Sequence, residues 1–258
     1  MTGTIGGTQT LEHLLKVACA ISVWTPLIFQ QGAVVGTNIQ IESAGEFQVG
    51  AYVAEPSGKP KGSVVVIQEI FGVNQHIREV TDGYAAAGYY AIAPKIFDRL
   101  ERDIELGYGE DDMGRGIDLA FQQLDHALAL ADVQTAINTA AAHGKVGVVG
   151  YCFGGLLTWL AACTLENVAA ASSYYGGGVA GQMDKSPNCP VMMHFGELDA
   201  HIPMSDVEAV KAAQPEVPVF VYNADHGFNC DHRGSYDADA ASTALQRTLE
   251  HFAENLAS

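Results

Sequence analysis

The stretch that decides the fold runs from Lys145 to Gly155 and reads KVGVVGYCFGG. Its valines are β-branched and apolar, which predicts a strand buried on both faces. An apolar helical pattern resumes directly after the glycines, so the stretch predicts a strand, a sharp turn and a helix. Cys152 lies at the turn and is therefore predicted to stand at the edge of a sheet.

The turn has the spacing Gly150-x-Cys152-x-Gly154. This is the spacing of a nucleophile elbow, with a thiol in place of the usual hydroxyl. A strand that turns straight into a helix crowds the backbone two residues before and two residues after the apex, so both positions must lack bulk. A free cysteine is more often a small buried hydrophobe than a nucleophile. The paired glycines favour the nucleophile, provided that an acid and a base come from elsewhere in the chain.

Composition narrows the class of protein. The 258 residues are 48% hydrophobic, which is ample for a core, and 30 acidic against 13 basic residues give a net charge of -17. That field repels phosphates and anionic lipid, so we expect no nucleic-acid partner and no membrane partner. The five cysteines include no Cys-x-x-Cys pair, which predicts free thiols and a cytoplasmic location. The apolar stretch at 14–29 is short for a membrane span. Composition leaves the oligomeric state open.

Strands and helices are predicted to alternate along the chain. An antiparallel pair is predicted at 40–54, further strands at 63–68, 89–93, 169–175, 190–195 and 217–222, and helices at 74–88, 119–142 and 207–213 and at the C-terminus. Residues 97–116 are predicted to form a long irregular connection. This alternation predicts one α/β domain with a mostly parallel sheet and helices on both faces.

Reactive side chains follow four of the predicted strands: Glu69, Cys152, Asp199 and His226. Loops at the carboxyl ends of parallel strands converge, so these residues are expected to share one site. The order nucleophile, acid, histidine is that of the α/β-hydrolase triad. In such a triad the thiol attacks a carbonyl, the imidazole moves the proton and the carboxylate orients the imidazole.

Other acidic residues compete for the role of Asp199. They are Asp206, Asp225 and Asp231. Asp225 adjoins His226 and would need a contorted backbone to reach its ring. Chain order and a place at a strand end favour Asp199.

Six stretches resemble the dienelactone hydrolase family of α/β-hydrolases. They are QEIFGVN at 68–74, APKIFDR at 93–99, GVVGYCFGG at 147–155, YYG at 174–176, HFGELD at 194–199 and HGF at 226–228. The resemblance implies a single α/β-hydrolase domain at 39–258, after an N-terminal extension at 1–38 that has no counterpart in the family. It also implies hydrolysis of small lactones or esters through an acyl-cysteine.

The resemblance implies a role for each matching residue. Cys152 is the nucleophile, His226 the base, Asp199 the orienting acid, and Glu69 the group that activates the thiol when substrate arrives, so that the resting thiol stays protonated. The backbone N–H groups of Ile70 and Phe153 form the oxyanion hole.

The resemblance also implies substrate contacts. Arg99 matches an arginine that pairs with a substrate carboxylate, and Tyr174 and Tyr175 match positions in the pocket wall, although either tyrosine could belong to the core. A second family arginine is Cys230 in this chain. Either Arg233, three residues later, replaces it, or the substrate carries less negative charge or none.

Two other interpretations compete with a hydrolase. A hydrolase-fold protein that binds a metabolite with little turnover is the alternative, and the change at Cys230 supports it. A metal site built from His226, Cys230, Asp231 and His232 has usable donor types, but neighbouring loop residues seldom all point inward, so no metal is predicted. The glycines near Gly150 do not match the dinucleotide fingerprint, and no organic cofactor is predicted.

Overall fold

Runs of apolar and β-branched residues form the eight strands of one sheet in the computed structural model, which describes residues 34–257. The strands are β1 Thr37–Ser43, β2 Phe47–Ala54, β3 Ser63–Ile67, β4 Tyr90–Pro94, β5 Val146–Tyr151, β6 Val168–Tyr174, β7 Val191–Gly196 and β8 Val219–Tyr222. Their spatial order is β1-β2-β4-β3-β5-β6-β7-β8. β2 is antiparallel to both of its neighbours, and all other pairings are parallel. The predicted mostly parallel sheet is confirmed.

Helices cover both faces of the sheet. They are α1 Gln75–Ala86, α2 Glu110–Asp118, α3 His126–Ala140, α4 Phe153–Thr164, α5 Met204–Ala213 and α6 Ala238–Leu256. Two neighbouring serines of β6 show the two faces, because successive strand side chains point in opposite directions. Ser172 Oγ lies 2.9 Å from Thr248 Oγ1 of α6, whereas Ser173 Oγ donates to the Gly155 carbonyl of α4 at 2.9 Å. The predicted two-sided covering is confirmed.

The region between β4 and β5 differs from its prediction. Residues 97–116 are not wholly irregular, because α2 begins at Glu110 and Phe97 is buried. The helix predicted at 119–142 is interrupted, since Asp125 accepts hydrogen bonds from the N–H groups of Ala127 and Leu128 and so starts α3 as its cap. The spacing of apolar residues in 119–142 predicts Leu128 in a buried stripe, but Leu128 is 39% exposed.

The predicted extension at 1–38 lies outside the described residues as far as residue 33, and so does the apolar stretch at 14–29. β1 begins at Thr37, two residues before the start predicted for the domain. Within 34–257, no helix is both long and apolar enough to cross a bilayer.

Candidate active site

Cys152 sits at the apex between β5 and α4 in a strained conformation. Its φ of 55° and ψ of -116° lie in a region that residues with a side chain rarely adopt. A Cβ atom at Gly150 would lie 2.0 Å from the carbonyl oxygen of Gly154, and one at Gly154 would lie 2.3 Å from the carbonyl oxygen of Ile67. The steric reason predicted for the two glycines is confirmed. The Cys152 side chain is half-buried and reachable.

Three residues from separate strand ends meet at this apex. Nε2 of His226 lies 3.1 Å from Sγ of Cys152, and Nδ1 of His226 lies 2.7 Å from Oδ2 of Asp199. The other oxygen of Asp199 accepts hydrogen bonds from the backbone N–H groups of His201 and Ile202, at 2.8 and 3.1 Å. These donors fix the carboxylate, which in turn orients the imidazole.

The competing acidic residues lie elsewhere. Asp225 accepts a hydrogen bond from the backbone N–H of His226 rather than from its ring. Asp231 pairs with His76, and Asp206 lies in the first turn of α5. The acid that contacts the imidazole is therefore Asp199.

The electrostatics of the triad favour a charged imidazole. Burial alone disfavours the imidazolium, but the charges of Cys152 and Asp199 and the hydrogen bonds to both outweigh it and raise the pKa of His226 to about 10. Burial also acts to raise the pKa of Asp199, yet the hydrogen bond and charge of His226 and the two backbone donors hold that pKa below its ordinary value. The arrangement can stabilise a thiolate beside an imidazolium.

Glu69 is buried next to an arginine. Its Oε1 atom lies 3.4 Å from Nη1 of Arg233, and its Oε2 atom has no hydrogen-bond partner among the described residues. The guanidinium of Arg233 also lies 5.6 and 5.7 Å from the ring centroids of Phe71 and Tyr108. The structure thus brings Arg233, which the sequence offered as a substitute for the missing family arginine, to Glu69.

The two residues predicted for the oxyanion hole lie on different segments, Phe153 directly after Cys152 and Ile70 in the loop after β3. Phe153 is the first residue of α4, so its N–H has no acceptor within the helix. Ile70 is buried in the loop after β3, and a Cβ atom at Gly116 of α2 would lie 2.5 Å from the Ile70 carbonyl oxygen. This tight contact holds the Ile70 backbone in place.

The two tyrosines after β6 have different environments. Tyr174 is fully buried and its hydroxyl lies 2.8 Å from Thr248 Oγ1 on α6, which makes it a core residue rather than a pocket wall. Tyr175 has a φ of 35°, and its ring centroid lies 5.1 Å from that of His226. Its buried hydroxyl has no hydrogen-bond partner within 34–257. Of the two, Tyr175 adjoins the triad.

Arg99 is engaged away from these residues. Its Nε and Nη2 atoms donate to the two carboxylate oxygens of Asp132 at 2.8 and 2.7 Å. The guanidinium also lies 4.6 Å from the ring centroid of Phe47. The carboxylate expected to come from a substrate is supplied by the chain itself.

Two groups of possible metal donors occur in the described part of the chain. They are Glu69 with His76 and Cys230, and His76 with Asp231 and His232. The four-residue set weighed from the sequence does not come together, because His226 is held by Asp199 and Cys152. His76 was missed by sequence reasoning, although its position two residues after the Asn74 helix cap, near a strand end, was a usable signal.

Comparison with known proteins identifies the family of the chain. The model of the Dienelactone hydrolase family matches residues 49–256. A carboxymethylenebutenolidase of Pseudomonas putida is 32% identical over 226 residues, which cover 84% of this chain and 95% of that protein. A Synechocystis sp. protein that carries the same name provisionally is 38% identical over 230 residues, covering 81% and 93%.

A solved structure gives the same result. A protein from Klebsiella pneumoniae, provisionally named a dienelactone hydrolase, has a TM-score of 0.75 and 31% identity, over 86% of this chain and all (100%) of that one. The predicted family, fold and hydrolase class are confirmed. The chain belongs to the dienelactone hydrolase family, a family of enzymes that hydrolyse ester and lactone bonds.

Proposed function

We propose that the protein hydrolyses small esters or lactones with a Cys152–His226–Asp199 triad, through an acyl-cysteine. The observation that carries the proposal is the unbroken chain of contacts from Sγ through both imidazole nitrogens to the carboxylate, at 3.1 and 2.7 Å. At these distances a charged imidazole can stabilise a thiolate at Cys152, and the carboxylate of Asp199 can orient the ring.

In the proposed reaction, Sγ of Cys152 attacks the ester carbonyl. The N–H groups of Phe153 and Ile70 stabilise the negative charge that develops on the carbonyl oxygen. The imidazolium of His226 protonates the leaving oxygen, and the neutral imidazole then removes a proton from water, which releases the acyl group as an acid. Asp199 keeps the imidazole in the required orientation throughout.

Glu69 is proposed to take the thiol proton when substrate arrives. Its burial and its single ion-pair partner among the described residues, Arg233, support this role, because a substrate carboxylate that binds Arg233 would free Glu69. A guanidinium that lies on aromatic rings suits a planar anion. We therefore propose an anionic substrate that contacts Arg233 and Tyr175, in place of Arg99 and Tyr174.

The test is the turnover of purified Cys152→Ala, with Cys163→Ala as the control. We expect Cys152→Ala to lose at least about 100-fold in kcat on a neutral aryl ester and on a carboxylate-bearing lactone. Mass spectrometry of quenched wild-type protein should show the acyl group on the peptide that contains Cys152. Undiminished turnover by Cys152→Ala would falsify the proposal.

The alternative of a binding protein with little turnover is tested in the same assay. Tight binding of the lactone by wild-type protein, with no product over many hours, would favour it. The contacts between Cys152, His226 and Asp199 favour turnover. Free thiols at Cys152, Cys163, Cys189 and Cys230 support the proposed cytoplasmic location.

A further inference from the structure

A second histidine–carboxylate pair lies beside Glu69 and outside the triad. His76 is the second residue of α1 and is 3% exposed. Its Nδ1 atom lies 3.3 Å from Oδ1 of Asp231, whose side chain is 59% exposed. One end of the buried imidazole therefore meets a carboxylate that reaches solvent.

The other end of the His76 ring faces the buried side of the site. One donor atom each from His76, Glu69 and Cys230 lie within 4.8 Å of one another. Because Nδ1 is engaged by Asp231, Nε2 is the nitrogen left for Glu69. In the part of the chain that the structure describes, His76 Nε2 and Glu69 Oε2 are both buried without a hydrogen-bond partner. Both atoms are therefore available for a hydrogen bond, and a separation of this order can be bridged by one water molecule.

The surroundings of His76 favour its neutral form. Burial lowers the pKa of His76 and outweighs the charges of Glu69 and Asp231, which act to raise it. The first turn of a helix also disfavours a positive charge. The other titratable or charged groups around the pair are Cys230, His232, Glu79 and Arg233. A neutral imidazole can accept a proton at one nitrogen while it donates one from the other.

We propose that His76 is a positioning residue that relays a proton between Glu69 and solvent by way of Asp231. The inference rests on the proposed function, in which Glu69 takes the thiol proton. Glu69 is 1% exposed, so it cannot pass that proton to bulk water directly. Asp231, the outer end of the relay, is 59% exposed, and His76 itself lines a cavity of about 350 Å³ together with Asn74, Tyr108 and His232.

The protons balance over one turnover. As the bond between Sγ and the acyl carbon forms, the thiol proton moves to Glu69, and the imidazolium of His226 protonates the leaving oxygen as its bond to carbon breaks. His226 then takes a proton from water, and the hydroxide displaces Sγ from the acyl carbon. The acid that forms returns a proton to the Cys152 thiolate, while Glu69 releases its own through His76. One ester and one water give one alcohol, one carboxylate and one proton in solvent.

The buried atoms around His76 are better suited to a proton than to a metal ion. The guanidinium of Arg233 already lies 3.4 Å from the Glu69 carboxylate. Burial raises the pKa of the Cys230 thiol to about 12, which keeps the sulfur protonated, whereas zinc binds the thiolate. We assign no metal ion to this cluster.

The test is His76→Ala in the full chain, with its kcat and KM for a carboxylate-bearing lactone measured between about pH 6 and pH 9, a range that includes the ordinary imidazole pKa. We expect kcat to fall at least about tenfold and KM to stay nearly unchanged. A loss of this size is modest for the removal of a group that transfers protons. Imidazole in the buffer should restore kcat in proportion to its neutral form. The control is His251→Ala, since His251 also has a buried, unpartnered Nε2 but lies on α6 beside Phe252. It should show neither loss nor rescue.

An unchanged kcat in a folded His76→Ala, or a loss that imidazole does not relieve, overturns the relay. If the alanine variant does not fold, His76→Gln replaces it, because glutamine keeps a hydrogen bond to Asp231 but cannot relay; full kcat in that variant also overturns the relay. If the wild-type protein loses activity on dialysis against EDTA, the cluster of Glu69, His76 and Cys230 binds a metal ion, and this result also overturns the relay. Full turnover by Cys152→Ala overturns the proposed function and the relay together. An inert Cys152→Ala beside an unaffected His76→Ala overturns the relay alone.

Discussion

Arg99 and Asp132 form a two-point ion pair in which two guanidinium nitrogens lie 2.8 and 2.7 Å from the two carboxylate oxygens. The Asp132 side chain is 0% exposed and that of Arg99 is 13% exposed. Asp132 lies on α3 and Arg99 follows β4, so the pair joins a helix to the sheet. A buried carboxylate of this kind depends on its partner, because an unpaired buried charge is costly.

Arg99→Ala is therefore expected to destabilise the fold. Leaving Asp132 unpaired should lower the free energy of unfolding by about 3 kcal/mol. Urea unfolding measures the change, and Arg115→Ala is the matched control because Arg115 pairs with Glu101 at the surface and should cost less than about 1 kcal/mol. Wild-type stability together with a selective loss of anionic lactones would instead assign Arg99 to substrate recognition.

Arg233→Gln is expected to weaken the binding of anionic substrates. A charge-assisted contact contributes about 1.5–3 kcal/mol, so KM for a carboxylate-bearing lactone should rise about 10- to 100-fold, while KM for a neutral aryl ester changes little. Steady-state kinetics on both substrates give the comparison. Arg102→Ala is the control, since Arg102 is half-exposed and contacts Asp98 and the Gln48 carbonyl rather than Glu69. Equal losses on both substrates would remove Arg233 from carboxylate recognition.

The elbow and the sheet were predictable because their causes are local. β-Branched runs form buried strands, and the crowding at Gly150 and Gly154 comes from backbone within the same strand–turn–helix unit or the adjacent strand. The carboxyl ends of parallel strands also lie at one edge of the sheet. The sequence alone therefore predicted that Cys152, Asp199 and His226 share one site.

The substrate contacts were not predictable in this way. Arg99 meets Asp132 from 33 residues further along the chain, and nothing local in the sequence indicates that pairing. Tyr174 and Tyr175 are adjacent, yet one packs under α6 and the other beside His226. Which of two neighbouring residues faces the site depends on where the strand ends, because a shift of one residue moves each side chain to the opposite face of the sheet.

The stability that His226 contributes is expected to fall as pH rises. Its pKa is about 10 in the folded protein, against an ordinary value of 6.5. Because folding raises this pKa, the protonated imidazole contributes its full share of the free energy of unfolding below about pH 6.5. This contribution is lost as the pH rises through about 10. The difference in unfolding free energy between wild type and His226→Gln should therefore shrink across that window.

The control for this pH dependence is His251→Gln. Burial lowers the pKa of His251. The contribution of His251 to the free energy of unfolding should therefore fall as the pH drops below about 6.5 and stay constant above it. If the difference in unfolding free energy between wild type and His226→Gln stays constant from about pH 6.5 to pH 10, Cys152 and Asp199 do not stabilise the charged form of His226.

Gly154→Ala is expected to remove activity by deforming the elbow. Its Cβ would lie 2.3 and 2.5 Å from the carbonyl oxygens of Ile67 and Gln68. Both contacts are with backbone at the end of β3, so relief must come from moving Cys152 or the loop that carries Ile70. The variant should lose about 1–3 kcal/mol of unfolding free energy, as overpacked sites do, and nearly all esterase turnover.

Gly177→Ala separates this steric effect from the general cost of replacing a glycine, because a Cβ there meets nothing within 4 Å. It should unfold like the wild type and keep full kcat. The two variants together test whether the position of Sγ, rather than the mere presence of the triad side chains, sets the rate. A Gly154→Ala protein with wild-type kcat would show that the strained backbone at Cys152 is dispensable.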